Sequence, residues 1–316
     1  MKIAVIGAGG VGGLLGAALV RSGRDVWFLA RGRHLAAMRE GGLRITGARG
    51  DHWLTHVQVT DRPDAIGLAD VVLLAVKLWD VEATVQSLGP LIGPETIVVT
   101  LQNGVDAPGQ VAATIGPRHV AAGSCFVNGG MTEPGVILQA SVHQRIVAGM
   151  LTGERSPVLE RFGSACAAGD IELILTPAPV DALWEKYVQL VPISAVTALL
   201  RAPIGAVRDD PESWRLFLQI LEETVLVGRA TGADVPAAAV ERRLAYVRAL
   251  PRDAMASMAR DLLQGRRLEL PWLSGRVIEL GRHYGVPTPA NDFAWAALEP
   301  FVLGADPLPM KGPHAA

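Results

Sequence analysis

Cysteine is scarce: the 316 residues hold two, Cys125 and Cys166. Two such thiols build no disulfide framework, and their scarcity suits a reducing cytosol, so the cytoplasm is the expected location. Neither sign of charge dominates, with 29 Lys and Arg against 31 Asp and Glu and a formal net charge of -2. No long run of like charge occurs. Nucleic acid and anionic membrane are therefore not expected partners. Internal repeats are missing, and aromatic residues make up only 5%. No metal motif is present; His52 and His56 are four apart, but their surroundings read as turn and strand, so they share no helical face. What is plentiful is apolar sequence, 50% of the chain, enough for two domains and a sizeable core.

One stretch, 3–20, carries no polar side chain at all. A membrane span or a signal peptide has this look. Six of those residues are glycines, however, and no stop-transfer segment follows. Their placement has another explanation. An apolar run at 2–6 ends at Gly7, and Gly7, Gly9 and Gly12 form G-x-G-x-x-G; a second apolar run follows at 25–30. Strand, tight turn, helix and strand is the context that makes this pattern a dinucleotide fingerprint. Gly7 permits the sharp exit from the strand, Gly9 lets the backbone approach a pyrophosphate, and Gly12 lets the helix pack on the sheet. The helix start, with Gly10 and Val11, offers N–H groups and a positive dipole end to the phosphates. Where an NAD enzyme has Asp or Glu after the second strand, this chain has Ala30 and Arg31, with Arg33 close by. A guanidinium suits a 2′-phosphate, so NADP(H) is the expected cofactor; the competing reading makes both arginines ordinary surface charges.

Along the chain, the pattern predicts a helix at 33–40 and a pair of short strands or a loop insertion at 43–60. It predicts strands at 71–76 (VVLLAV), 96–101 and 119–125, separated by helix-sized segments. This describes βαβ units and a doubly wound parallel sheet, an α/β fold. The runs 136–139 and 145–148 read as antiparallel strands, followed by a helix at 157–168 and a strand at 171–175. The connector Thr176-Pro177-Ala178-Pro179 marks the boundary between a dinucleotide-binding domain, 1–177, and a second domain, 178–316. The second domain reads as all helix, with segments at 180–201 (interrupted by Pro192), 211–231, 236–249, 254–264, 273–284 and 290–303. Beyond Gly304 the tail is expected to fray.

Several polar residues invite a reading beyond packing. Lys77 and Asn103 stand at strand tips, where open α/β sheets bind ligands; equally, they read as a solvated lysine and a turn-forming asparagine. Lys186 sits in an apolar helix (ALWEKYVQLVPISAVTALL), where periodicity favours an exposed polar face with Glu185 and Gln189. The alternative is a partly buried ammonium that polarises a carbonyl and protonates the alkoxide after hydride delivery. Ser257 reads as a cap or surface hydroxyl. Glu269, between Leu268 and Leu270, reads as a solvated turn or as facing a cleft.

Taken together, these stretches resemble the ketopantoate reductases (2-dehydropantoate 2-reductases). The matching segments are KIAVIGAGGVGGLLG at 2–16, LAR at 29–31, AVK at 75–77, LQNGV at 101–105 and WEKY at 184–187. TAL at 197–199, SMARDLLQGRRLEL at 257–270 and YGVPTPAN at 284–291 complete them. The resemblance implies a Rossmann-type N-terminal domain, an all-helical C-terminal domain for substrate and dimerisation, and an active site in the cleft between them. It implies NADPH reduction of a small-molecule 2-oxo acid to a 2-hydroxy acid, as in pantothenate biosynthesis, by a homodimer. Residue by residue, it makes Lys186 the general acid and Glu269 the carboxylate that positions the substrate hydroxyl and that lysine, beside the cofactor. It gives Ser257 the substrate carboxylate, Asn103 the cofactor–substrate junction, Lys77 the cofactor side and Arg31 the 2′-phosphate.

The chain also departs from the family. The asparagines usual one and two turns after the lysine are Leu190 and Ser194 here, the next is Ile204, and T-E-I-D has become Leu268-Glu269-Leu270-Pro271. The substrate-binding positions are thus partly apolar, which favours a bulkier or more apolar 2-oxo acid and a D-2-hydroxyacid dehydrogenase as the alternative enzyme. An NADP(H)-binding sensor without catalysis is the alternative of another class.

Overall fold

The computed structural model describes residues 1–304, so the expectation about the tail lies outside the described residues. Two compact units divide the chain, Met1–Leu183 and a second beginning at Trp184.

The first unit opens with β1 (Lys2–Ile6), α1 (Gly10–Arg21), β2 (Asp25–Leu29) and α2 (Gly32–Gly41). The stretch read as a strand pair or insertion holds short strands β3 (Leu43–Gly47), β4 (His52–Leu54) and β5 (Gln58–Thr60). Then come α3 (Pro63–Ile66), β6 (Val71–Leu74), α4 (Val81–Gln86), β7 (Ile97–Thr100) and α5 (Ala107–Ile115). The unit closes with β8 (Val120–Glu133), β9 (Val136–Met150), α6 (Pro157–Ala168) and β10 (Glu172–Leu175).

All ten strands join one sheet, in the order β4-β3-β9-β8-β7-β6-β1-β2-β5, with β10 beside β9. From β5 to β8 every pairing is parallel, which is the Rossmann half of the fold. Its central strands β1, β6 and β7 are apolar except at Lys2 and Thr100, because both faces are covered. Ile3, Val5, Val71, Leu73 and Val99 pack on one side with Leu14, Leu15 and Phe162. Ala4, Ile6, Val72, Leu74 and Val98 pack on the other with Val81, Val85 and Val111.

One expectation is corrected. The runs 136–139 and 145–148 are a single strand, Val136–Met150, which pairs antiparallel with β8 along most of its length. Two polar stretches, in β8 and in the middle of β9, had masked this continuity, and the pair is long enough to take β3 and β10 on the outer edge of β9.

The second unit is helical. The helix α7 (Pro179–Leu200) begins just before the division and continues as one helix through Pro192. It is followed by α8 (Ile204–Asp209), α9 (Pro211–Ala230), α10 (Ala237–Ala249), α11 (Ser257–Leu263), α12 (Ser274–Tyr284) and α13 (Pro289–Leu298). The short α8 escaped the sequence reading. Close packing of α7 on α9 rests on Gly228, where a Cβ would stand 2.8 Å from the ring of Trp184. Trp184 in turn meets Tyr187 edge to face, with centroids 5.3 Å apart.

A buried carboxylate fastens α13. Glu223 is 8% exposed, and its oxygens accept from the amides of Ala290 (2.7 Å) and Asn291 (2.9 Å) and from the Asn291 side chain (2.8 Å). These are amides of the first turn of α13, which have no acceptor within their own helix and which favour negative charge. Glu223→Ala should cost about 3 kcal/mol, because charged hydrogen bonds vanish and buried donors stay unmet. Urea unfolding checks it; an unchanged midpoint would show that α13 needs no such anchor.

Candidate active site

The dinucleotide turn is shaped by contacts that leave no room for side chains. Gly7 has φ +97°, and a Cβ there would stand 2.8 Å from the Val76 amide nitrogen. At Gly12 a Cβ would stand 2.2 Å from the Gly7 carbonyl oxygen and 3.0 Å from the Ala75 Cβ. At Gly10 it would stand 2.6 Å from the carbonyl oxygen of Gly129, in β8. Gly9 differs: nothing lies within 4 Å of its Cβ position. Gly9 is the N-cap of α1, which begins at Gly10 and Val11, has no side-chain cap and carries no acidic residue in its first turn. An uncapped helix start beside open space fits a pyrophosphate.

Arg31 is the N-cap of α2, with Ala30 buried before it and Arg33 exposed after it. The Arg31 guanidinium is 82% exposed and pairs with Asp80 at 2.8 Å. A pair this exposed is worth about 0–1 kcal/mol, so an incoming phosphate can displace it at little cost.

Lys77 and Asn103 each stand three residues past a parallel strand, β6 and β7 respectively. Lys77 is the N-cap of the single 3₁₀ turn Leu78–Asp80, and its ammonium lies 5.5 Å from the Trp79 ring centre. The sequence reading passed over the residue that joins these tips. Gln102 is buried, and its side-chain amide donates to the carbonyls of Leu74 (2.9 Å) and Val76 (3.1 Å). It therefore binds the Asn103 tip to the 74–77 segment on which Gly7 rests. The signal was available: a Gln between an apolar strand and an Asn-Gly turn has few other uses for its amide.

In the second unit, Lys186, Leu190 and Ser194 follow one another at four-residue intervals along one face of α7. Lys186 and Leu190 are half-buried, and Ser194 is 1% exposed. The exposed polar face imagined for Lys186 does not form: Gln189 is buried, and Glu185 pairs with Arg242 (3.3 Å) and Arg243 (3.0 Å) from α10.

Glu269 is no solvated turn either. It is 5% exposed, flanked by fully buried Leu268 and Leu270, and it is the N-cap of the 3₁₀ turn Leu270–Trp272. Tyr187 joins the two regions. Its hydroxyl lies 2.9 Å from the Trp272 carbonyl oxygen and 2.8 Å from that of Leu273. The helix turn of Lys186 is thus fastened to the chain turn that Glu269 begins. Ser257 is half-buried and is the first residue of α11, whose N-cap is Ala256, so the serine is not a cap. Ile204 is fully buried at the start of α8. Among the described residues no cluster of His, Cys, Asp and Glu suits a metal, and no helix is long and apolar enough to cross a membrane.

Comparison with known proteins agrees with these features. The family model described as ketopantoate reductase PanE/ApbA matches residues 3–153, and its C-terminal counterpart matches residues 180–301. The chain belongs to the ketopantoate reductase family. As a member it is an oxidoreductase of the CH–OH class that works with a nicotinamide cofactor. It is 31% identical to the 2-dehydropantoate 2-reductase of Halobacterium salinarum over 92% of this chain and 95% of that protein. It superimposes with a TM-score of 0.88, at 28% identity, on the crystal structure of the 2-dehydropantoate 2-reductase from Geobacter metallireducens, covering 95% and 99% of the two chains. A D-mandelate dehydrogenase, at 18% identity over 95% and 98% of the two chains, reaches a TM-score of 0.87, a likeness of fold alone.

Proposed function

We propose that the protein reduces a 2-oxo acid to a 2-hydroxy acid with NADPH, as 2-dehydropantoate 2-reductase does in converting ketopantoate to pantoate. The observation that carries this reading is that Tyr187, the neighbour of half-buried Lys186, hydrogen-bonds the chain turn that buried Glu269 begins. NADPH supplies the hydride to the carbonyl carbon. Lys186 polarises the carbonyl and gives its proton to the oxygen; Glu269 orients that ammonium and the nascent hydroxyl. Ser257 binds the substrate carboxylate, and Asn103 offers its amide where cofactor and substrate meet. Gly7, Gly9, Gly10, Val11 and Gly12 receive the pyrophosphate, Lys77 contacts the cofactor, and Arg31 exchanges Asp80 for the 2′-phosphate. The reading takes the homodimer as the assembly and the cytoplasm as the place of work.

A second reading concerns the substrate. Leu190 and Ile204 stand where the resemblance to the family implies asparagine, and Ser194 places a small hydroxyl at a third such position. A pocket with fewer amides favours a branched or aromatic 2-oxo acid, and the enzyme is then a D-2-hydroxyacid dehydrogenase. NADPH oxidation across a panel of 2-oxo acids, with NADH as control, separates the cases. The first reading expects the highest kcat/KM with ketopantoate and the second with the apolar acids. NADPH binding without oxidation by any acid would instead favour a sensor.

A further inference from the structure

We infer that His34 is a positioning residue for the dinucleotide: its imidazole sets the phosphate-binding turn by joining it to a distant hairpin. The inference rests on the cofactor reading above. His34 lies in the first turn of α2 and is half-buried. The amide of Gly135, at the tip of the β8–β9 hairpin, donates to its Nδ1 at 2.9 Å. An amide can only donate, so Nδ1 is the bare nitrogen and the proton is on Nε2. Nε2 lies 2.8 Å from the carbonyl oxygen of Ala8 and donates to it. One ring thus joins three segments that are distant in sequence.

Ala8 is the residue between the first two glycines of the fingerprint. Its peptide with Gly9 is trans and planar, so the carbonyl of Ala8 and the N–H of Gly9 point in opposite directions. Holding the carbonyl therefore also sets the N–H of Gly9, the residue beside which a Cβ would meet nothing within 4 Å. The tip that supplies the other contact is itself fixed, because the Gly135 carbonyl accepts from the Arg44 amide at 2.9 Å. Arg31 caps the helix on which His34 rides. One turn of α2 thereby aligns the group for the 2′-phosphate with the strut for the pyrophosphate.

The test is NADPH affinity, measured by fluorescence on the full chain, for wild type, His34→Ala and His34→Gln. Glutamine retains an amide donor for Ala8 and an acceptor for Gly135. His34→Ala should raise Kd about tenfold, with kcat at saturating NADPH within about twofold, and His34→Gln should restore Kd to within about threefold of wild type. If His34→Ala does not fold, His34→Leu, which fills the space without a donor or acceptor, takes its place. A folded His34→Ala or His34→Leu that binds NADPH as wild type does, or a His34→Gln that binds no better than the folded apolar variant, overturns the inference and leaves the cofactor reading standing. A wild-type protein that does not bind NADPH overturns both.

Discussion

Lys186→Ala should lower kcat by about 10²–10⁴-fold, the range in which a general acid contributes, while NADPH binding stays within about twofold. The separation follows from where the residue lies. Lys186 belongs to the helical unit, and every residue assigned to the pyrophosphate or the 2′-phosphate belongs to the first. Its side chain is half-buried, Glu185 is taken by Arg242 and Arg243, and Tyr187 anchors the same helix turn to the turn after Glu269. Truncation therefore removes the proposed proton donor from a helix turn that stays anchored through Tyr187. The measurement is steady-state kinetics on the best 2-oxo acid of the panel, with NADPH affinity determined separately. Full turnover in Lys186→Ala would remove this lysine from the chemistry. Tyr187→Phe offers a comparison of a different kind, since it loses only the hydroxyl that fastens the turn.

Gly9→Ala should fold normally and fail to bind NADPH, with a loss of about a hundredfold or more, whereas Gly12→Ala should fail in folding. The two glycines are three residues apart and meet opposite surroundings. A methyl at Gly9 meets no protein atom within 4 Å, so nothing in the fold resists it; it would fill the side on which the phosphates come. A methyl at Gly12 would lie 2.2 Å from the Gly7 carbonyl oxygen, a backbone atom fixed between α1 and the sheet. Thermal melting and NADPH titration of both variants make the check. Unaltered binding in Gly9→Ala would mean that the open side of the turn is not where the dinucleotide lies.

Much of the first unit was legible because its signals are local. The strand-turn-helix and the apolar runs 71–76 and 96–101 each lie within a short window, and the family's segments follow in order along the chain. Lys77, Asn103 and Arg31 were placed correctly at strand ends for the same reason: a strand end is a local event. The β8–β9 pair was only half read, since polar residues in its middle look like loop until a partner strand satisfies their backbone.

Periodicity went astray at Lys186 and Glu269. It sees one helix or one turn, and burial depends on what the rest of the chain brings to it. Gln189 was read as part of an exposed face and is buried; Glu269 was read as a turn carboxylate and is 5% exposed. The resemblance to the family points the other way for Lys186 and Glu269, but gives no physical reason. That reason is tertiary: α10 supplies arginines to Glu185, and Tyr187 bonds to carbonyls 85 and 86 residues away.

The sequence alone determined that this chain winds a parallel sheet around a glycine turn, follows it with helices and lacks an acidic residue where NAD enzymes keep one. Those are properties of residue type and short spacing, which survive without knowledge of neighbours. Only the tertiary structure decided which amides hold that turn in place. Gln102 reaches back 26 and 28 residues, and His34 joins Ala8 to Gly135 across 26 and 101. A hydrogen bond is short-ranged in space and indifferent to distance along the chain, so no window of sequence contains both of its ends.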